Sequence, residues 1–393
     1  MCLVRCGHPH ILYPALPCGV FSSRLNWSLE TNRLSALVAR KRQAGARILD
    51  LTESNPTHAD LEYPREIADA LGDPRALSYN PAARGLDSAR EAVSRYYGGA
   101  ISPSRILLTA STSEAYSQLF KLLADPADEV LVPRPSYPLF EFLAQLDSVQ
   151  VRQYPLRYDG SWHIDFGALE HAITNRTRAI VVVNPNNPTG SFLKKTELER
   201  LESLGLPLIA DEVFSGYGFG DDPMRVRSLA GDRRVLTFSM SGLSKIAGLP
   251  QMKLGWIVAS GPAHETALDR LELIADTYLS VATPVQIALP ALLHSTIGDQ
   301  IRRRTAANLQ LLRSRIAGSA IHMLNLEGGW YATLQVPRIR SEEEWSLHLL
   351  EKHDVLVQPG FFFDFETEAF LIVSLLTPPA VFERAIARIR DEC

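Results

Sequence analysis

The chain has 393 residues, beyond the size at which one hydrophobic core usually stops growing, so two domains are expected. A formal charge of −4, a pI near 6.2 and the lack of any long run of one sign argue against a nucleic-acid or anionic-membrane partner. No apolar stretch of about eighteen residues offers a membrane span, and the four cysteines (Cys2, Cys6, Cys18 and Cys393) lie at the two ends, which is cytoplasmic usage and not a disulfide framework.

Residues 1–20 are aperiodic and read as a disordered leader, with patterned sequence starting after Val20, a candidate natural start. Cys2, Cys6, His8 and His10 are ligand-like types, but no strand or helix pattern would hold them, so no metal is expected. Leu34, Leu37 and Val38 give residues 32–42 a helical period, and residues 48–51 read as a strand entering a lip, Asn55-Pro56-Thr57. Tyr79-Asn80-Pro81 and Gly85 form a turn that exposes Tyr79 ahead of a helix over 88–97. A strand at 106–110 runs into Ser111-Thr112-Ser113-Glu114 and a helix. Ser111 with Glu114 fits a capping box, and such a helix start can also hold a phosphate on its unpaired N–H groups.

The strand at 130–132 leads into a proline-stiffened loop that holds Tyr137 at a strand end, as core cover or as a stacking ring. The β-branched run 179–183 enters Asn184-Pro185-Asn186-Asn187-Pro188-Thr189-Gly190, where two Asn-Pro steps enforce extended or turn backbone. The strand at 206–210 ends in Asp211, a carboxylate that needs a cap, an arginine or a protonated ring nitrogen as partner. A further strand, 235–238, ends in small residues ahead of Ser244 and Lys245, and another follows at 254–259. Strands alternating with helices predict a mostly parallel α/β sheet with its polar residues beyond the carboxyl ends. Residues 283–316 read as one long helix into a C-terminal α+β unit, with strands near 330, 355–357 and 370–375 and a final helix.

Only seven lysines stand against thirty-three arginines, so Lys245 among Gly, Ser, Ile and Ala is not a generic surface charge. Desolvation there lowers the ammonium pKa and frees an amine that attacks carbonyls.

Together these residues resemble the class I and II aminotransferases, fold type I enzymes dependent on pyridoxal 5'-phosphate, over roughly residues 21–390. Asn187-Pro188-Thr189-Gly190, Asp211-Glu212-Val213 and Ser244-Lys245 occur in family order at family-like separations. The resemblance implies a large domain over 59–295 with a mostly parallel seven-stranded sheet between helices. It also implies a smaller α+β domain from both termini, an arm at 21–58 and the segment 296–393. Lys245 would carry the cofactor as a Schiff base and move the substrate proton, and Asp211 would keep the pyridine nitrogen protonated. Asn187 would donate to the ring oxygen and Tyr137 stack on the ring. Ser111, Thr112 and Ser244 would hold the phosphate, and Tyr79 would reach the neighbouring subunit's phosphate in a homodimer. The implied reaction moves an amino group from an amino acid or amine to a 2-oxo acid in the cytoplasm. A lyase on the same scaffold, or a regulatory protein that binds the cofactor without turnover, are the rivals.

Three positions depart from the family pattern. Lys253 stands for the phosphate arginine, a point charge in place of a two-pronged fork. Phe214 replaces a tyrosine that donates to the ring oxygen, which should raise the Schiff-base pKa. Ile372 replaces the arginine that clamps the substrate α-carboxylate, so either another arginine such as Arg84 or Arg340 supplies the clamp, or the substrate lacks a carboxylate there.

Overall fold

The computed structural model describes residues 21–393. The leader, its Cys and His residues and Val20 lie outside the described residues.

The main sheet has eight strands in the order Ile106–Thr109, Gly255–Ser260, Thr237–Gly242, Leu208–Asp211, Thr177–Val183, Glu129–Arg134, Gln150–Tyr158 and Trp162–Ile164. Five consecutive members, from Thr237–Gly242 to Gln150–Tyr158, run parallel. Gly255–Ser260 is antiparallel to both of its neighbours. The eighth strand, one more than expected, is the short Trp162–Ile164, which folds back on Gln150–Tyr158. Apart from Arg178 the central strands are buried along their length, as their Val, Ile, Leu and Ala runs require of a sheet covered on both faces. On one face the helices Thr112–Leu123 and His264–Tyr278 contribute Leu119, Phe120, Leu268 and Leu271 to a core with Val130, Val181 and Ile257.

The strand at Thr237–Gly242 reaches further than the apolar run 235–238, into Ser239, Ser241 and Gly242. Ladder hydrogen bonds with Leu208–Asp211 and Gly255–Ser260 on its two sides override the low strand propensity of these residues.

Residues 283–316 form two helices, Thr283–Leu293 and Ile297–Ile316. The second bridges two cores. Ile297 and Ile301 pack with Leu249, Trp256 and Trp330, whereas Leu309, Leu312 and Ile316 pack with Leu334, Leu371 and Ile386. That second core belongs to an antiparallel sheet of His322–Met323, Tyr331–Gln335, Phe370–Ser374 and Gln358–Pro359. The arm returns to it, because Leu49–Asp50 pairs with Val355–Leu356 and Ser374 N donates to Leu51 O.

Candidate active site

Register fixes which residues meet at the carboxyl edge of the main sheet. Val183 lies opposite Asp211, Asp211 opposite Met240, and Gly255 opposite both Gly242 and Thr109. The segments leaving these strand ends carry Asn187, Asp211, Lys245 and Ser111, and the parallel strand Glu129–Arg134 delivers Tyr137 to the same edge. The approach is close. A Cβ on Gly242 would stand 2.8 Å from the Gly255 Cα and 2.9 Å from Leu254 O, and one on Gly255 would stand 3.3 Å from the Ser111 carbonyl carbon.

Ser111 caps the helix Thr112–Leu123, its hydroxyl accepting from Glu114 N at 3.2 Å. The expected capping box is only half formed, since the Glu114 carboxylate accepts from Ala110 N and from Ser280 Oγ in place of Ser111 N. Among the described residues, the N–H groups of Thr112 and Ser113 have no partner, so two donors at the positive helix end face outward. Ser244 is half-buried in the turn that carries Lys245. Lys253, exposed and with a left-handed backbone (φ 49°), lies two residues before Gly255.

The half-buried Lys245 amine donates to Ser54 O at 3.2 Å. Its Nζ stands 5.0 Å from the Trp330 ring centre and 5.9 Å from that of Phe214. Burial pulls its pKa down to about 8 against the opposing pull of the Asp211 and Glu53 carboxylates.

Asp211 is buried and accepts from Tyr116 Oη at 3.2 Å and from Val213 N at 3.2 Å. Burial pushes its pKa up to about 6 despite those bonds and the nearby Lys245. The Tyr137 phenol, raised to about 12 by burial and by Asp211, stays neutral.

The three asparagines of the 184–187 loop have different fates. Asn184 is consumed by Val226 O and Leu193 N, and Asn186 by Pro135 O, Thr189 Oγ1 and Ser136 Oγ. Asn187 Oδ1 is buried without a partner. A buried amide oxygen with nothing to accept from is costly unless a ligand completes it.

Pyridoxal phosphate fits this donor set. The site holds an amine whose pKa is lowered to about 8, a buried carboxylate suited to a ring N–H, an uncompensated amide and two helix-start N–H groups suited to a phosphate. Tyr79 is not brought here within one chain; it is 82% exposed. Three participants had no sequence signal specific to them: Tyr116 through Asp211, Ser54 through Lys245, and Trp330 beside the amine. The Asn55-Pro56-Thr57 lip pointed to the neighbourhood of Ser54, whereas nothing in the sequence singles out Tyr116, and Trp330 only marks the start of a strand.

Ile372 is fully buried, opposite Thr333 and Gln358 in the smaller sheet. Neither Arg84 nor Arg340 compensates for it in this chain. Arg84 is committed to Asp269 and Glu272, and Arg340 lies over Trp345, 3.6 Å from Glu392.

A sequence profile described as aminotransferase class I and II matches residues 46–389. Human tyrosine aminotransferase is 27% identical over 356 residues, 85% of this chain and 77% of that protein. Glutamate-pyruvate aminotransferase of Haemophilus influenzae is 29% identical over 364 residues, 86% of this chain and 88% of that protein. Among solved structures, an aminotransferase from Escherichia coli superposes with a TM-score of 0.83 at 25% identity, covering 96% of this chain and 98% of that one.

Proposed function

Because the chain belongs to the class I and II aminotransferases, which depend on pyridoxal phosphate, we propose specific roles for its residues in transferring an amino group from an amino acid or amine to a 2-oxo acid. The observation that carries these roles is the meeting of Lys245, Asp211 and Asn187 at one sheet edge, where the Asn187 amide has no hydrogen bond among the described residues and keeps its Nδ2 donors for the ring oxygen.

When bound, the cofactor supplies an electron sink for the carbon that loses its proton. The chain supplies the rest. Lys245 bonds the cofactor and is the base and acid for the substrate proton, a role suited to an amine with a pKa near 8. Ser54 O orients that amine, and Trp330 and Phe214 keep water from it. Asp211, fixed by Tyr116 and Val213, holds a proton on the ring nitrogen. Asn187 serves the ring oxygen and Tyr137 covers the ring. The Thr112 and Ser113 N–H groups, with Ser111, Ser244 and Lys253, hold the phosphate. The exposed Tyr79 supports a homodimer in which it reaches the partner's phosphate. Among the described residues no helix is long and apolar enough to cross a membrane, in keeping with a cytoplasmic enzyme.

Spectroscopic titration of the loaded enzyme with amino acids and amines, followed by mass spectrometry of the cofactor, tests the reaction. Accumulation of pyridoxamine phosphate is the expected result. Cofactor recovered intact beside an oxo product would mean elimination, the chemistry in the name of an Arabidopsis thaliana relative, an S-alkyl-thiohydroximate lyase 33% identical over 246 residues.

A further inference from the structure

The corner where the family's carboxylate arginine would stand is built for something else. Ile372 is directly opposite Thr333 on one side and Gln358 on the other, so the three side chains share one face of the smaller sheet. Thr333 Oγ1 and Gln358 Oε1 are both buried without a partner. Ser374, two residues along the same strand and on the same face, donates to Glu53 O at 2.6 Å. That bond draws the arm against this face, so that Ser54 O meets Lys245 Nζ and the Glu53 charge is felt at the amine. Glu53 itself accepts from Asn55 N at 2.7 Å, with the exposed His58 3.6 Å away.

The corner beyond Lys245 thus offers a hydrocarbon side chain, a hydroxyl and an amide that can each donate or accept, and one carboxylate, but no cation. Of these residues Glu53 and Gln358 line a cavity of about 410 Å³, together with Ser54, Pro138 and Phe362, whereas Ile372 itself is fully buried. A substrate carboxylate placed there would lose its water, find no guanidinium and face Glu53 as a like charge. Arg134 pairs with Glu366 and Gln153, and Arg42, on the cavity wall, lies 3.8 Å from Asp50, whose charge offsets its own.

We propose that the preferred amino donor is a primary amine with no carboxylate on its reacting carbon, its substituent at that corner being apolar or a neutral hydrogen-bonding group. The proposal rests on the aminotransferase reading above. In the balanced half-reaction the donor exchanges its amino nitrogen for the cofactor's carbonyl oxygen. The donor carbon is oxidised by two electrons and the cofactor carbon reduced by two, and the water released in one step is returned in the other. A 2-oxo acid acceptor meets the same corner and binds weakly.

The test pairs each amino acid with its decarboxylated analogue: phenylalanine with 2-phenylethylamine, leucine with 3-methylbutylamine, lysine with cadaverine. For each ligand, conversion of the loaded enzyme's cofactor is followed by absorbance and mass spectrometry. The amines are expected to react with at least about tenfold higher efficiency than their partners. Equal or better use of the amino acids, with pyridoxamine phosphate formed, overturns the inference and leaves the aminotransferase reading intact. Formation of oxo products with intact cofactor overturns that reading, and the inference with it. Independent of turnover, calorimetry of the loaded enzyme with pyruvate should show about tenfold or greater tightening in Ile372→Arg. Glu53→Gln, which alters no core residue, should also tighten pyruvate binding. Unchanged pyruvate affinity in Glu53→Gln, or in a folded Ile372→Arg, counts against the corner assigned here.

Discussion

Asn187 differs from Asn184 and Asn186 in having a buried side-chain oxygen with no partner, while its neighbours hold the loop. Three asparagines in four residues are indistinguishable by propensity; only the hydrogen-bond inventory separates the one left for a ligand. Lys245 and Asp211 were legible as a scarce lysine and a carboxylate ending an apolar strand. Tyr116 was not, because its hydroxyl finds Asp211 across 95 residues of sequence. Phe214 leads to a residue-scale prediction. Its ring lies 5.9 Å from Lys245 Nζ, so a hydroxyl introduced by Phe214→Tyr would be presented beside the cofactor-binding amine. A phenol donating to the ring oxygen stabilises the deprotonated Schiff base, so the pH midpoint of the loaded enzyme's visible absorption should fall by about one unit. A pH titration of the spectrum checks this, and an unmoved midpoint would place Phe214 away from the ring oxygen.

At the scale of elements, the site depends on two strands approaching without side chains between them. Gly242 and Gly255 face each other, and a Cβ on Gly242 would be driven into the Gly255 Cα and Leu254 O, both backbone atoms that cannot rotate aside. Gly242→Ala should therefore cost about 2–3 kcal/mol of stability. It should also weaken cofactor affinity, because the displaced Gly255 strand supports the Ser111 helix start. Denaturant unfolding and a fluorescence titration of the apoenzyme measure the two effects, and a variant with native values for both would show that the strands can separate freely. The strand ends themselves were readable from apolar runs closing on small residues. The break between Thr283–Leu293 and Ile297–Ile316 was not, because apolar spacing is nearly continuous across it and the interruption is only His294, Ser295 and Thr296.

For the whole molecule, burial of acids sets part of the pH response. Glu212 is sealed under Ser228 Oγ and Leu229 N, and burial pushes its pKa from 4.5 to about 7. Between those values the folded state keeps a proton that the unfolded chain releases, so stability falls as pH rises through the window. The contribution reaches about 3 kcal/mol above pH 7. In Glu212→Gln the melting temperature should improve relative to native as pH rises from about 5 to about 8; a constant difference between the two proteins would contradict the assignment. By itself the sequence determined the fold family, most of the strands and helices though not Gln150–Tyr158 or Trp162–Ile164, and the lysine, aspartate and asparagine candidates, because local period, turn residues and motif spacing are written along the chain. It also exposed the isoleucine at 372. Only the tertiary structure decided what surrounds that isoleucine, since Thr333 and Gln358 reach it through cross-strand register and the returning arm ties Glu53 O to Ser374 on the same face. The Ser374–Glu53 contact joins residues 321 positions apart, and no local pattern encodes it.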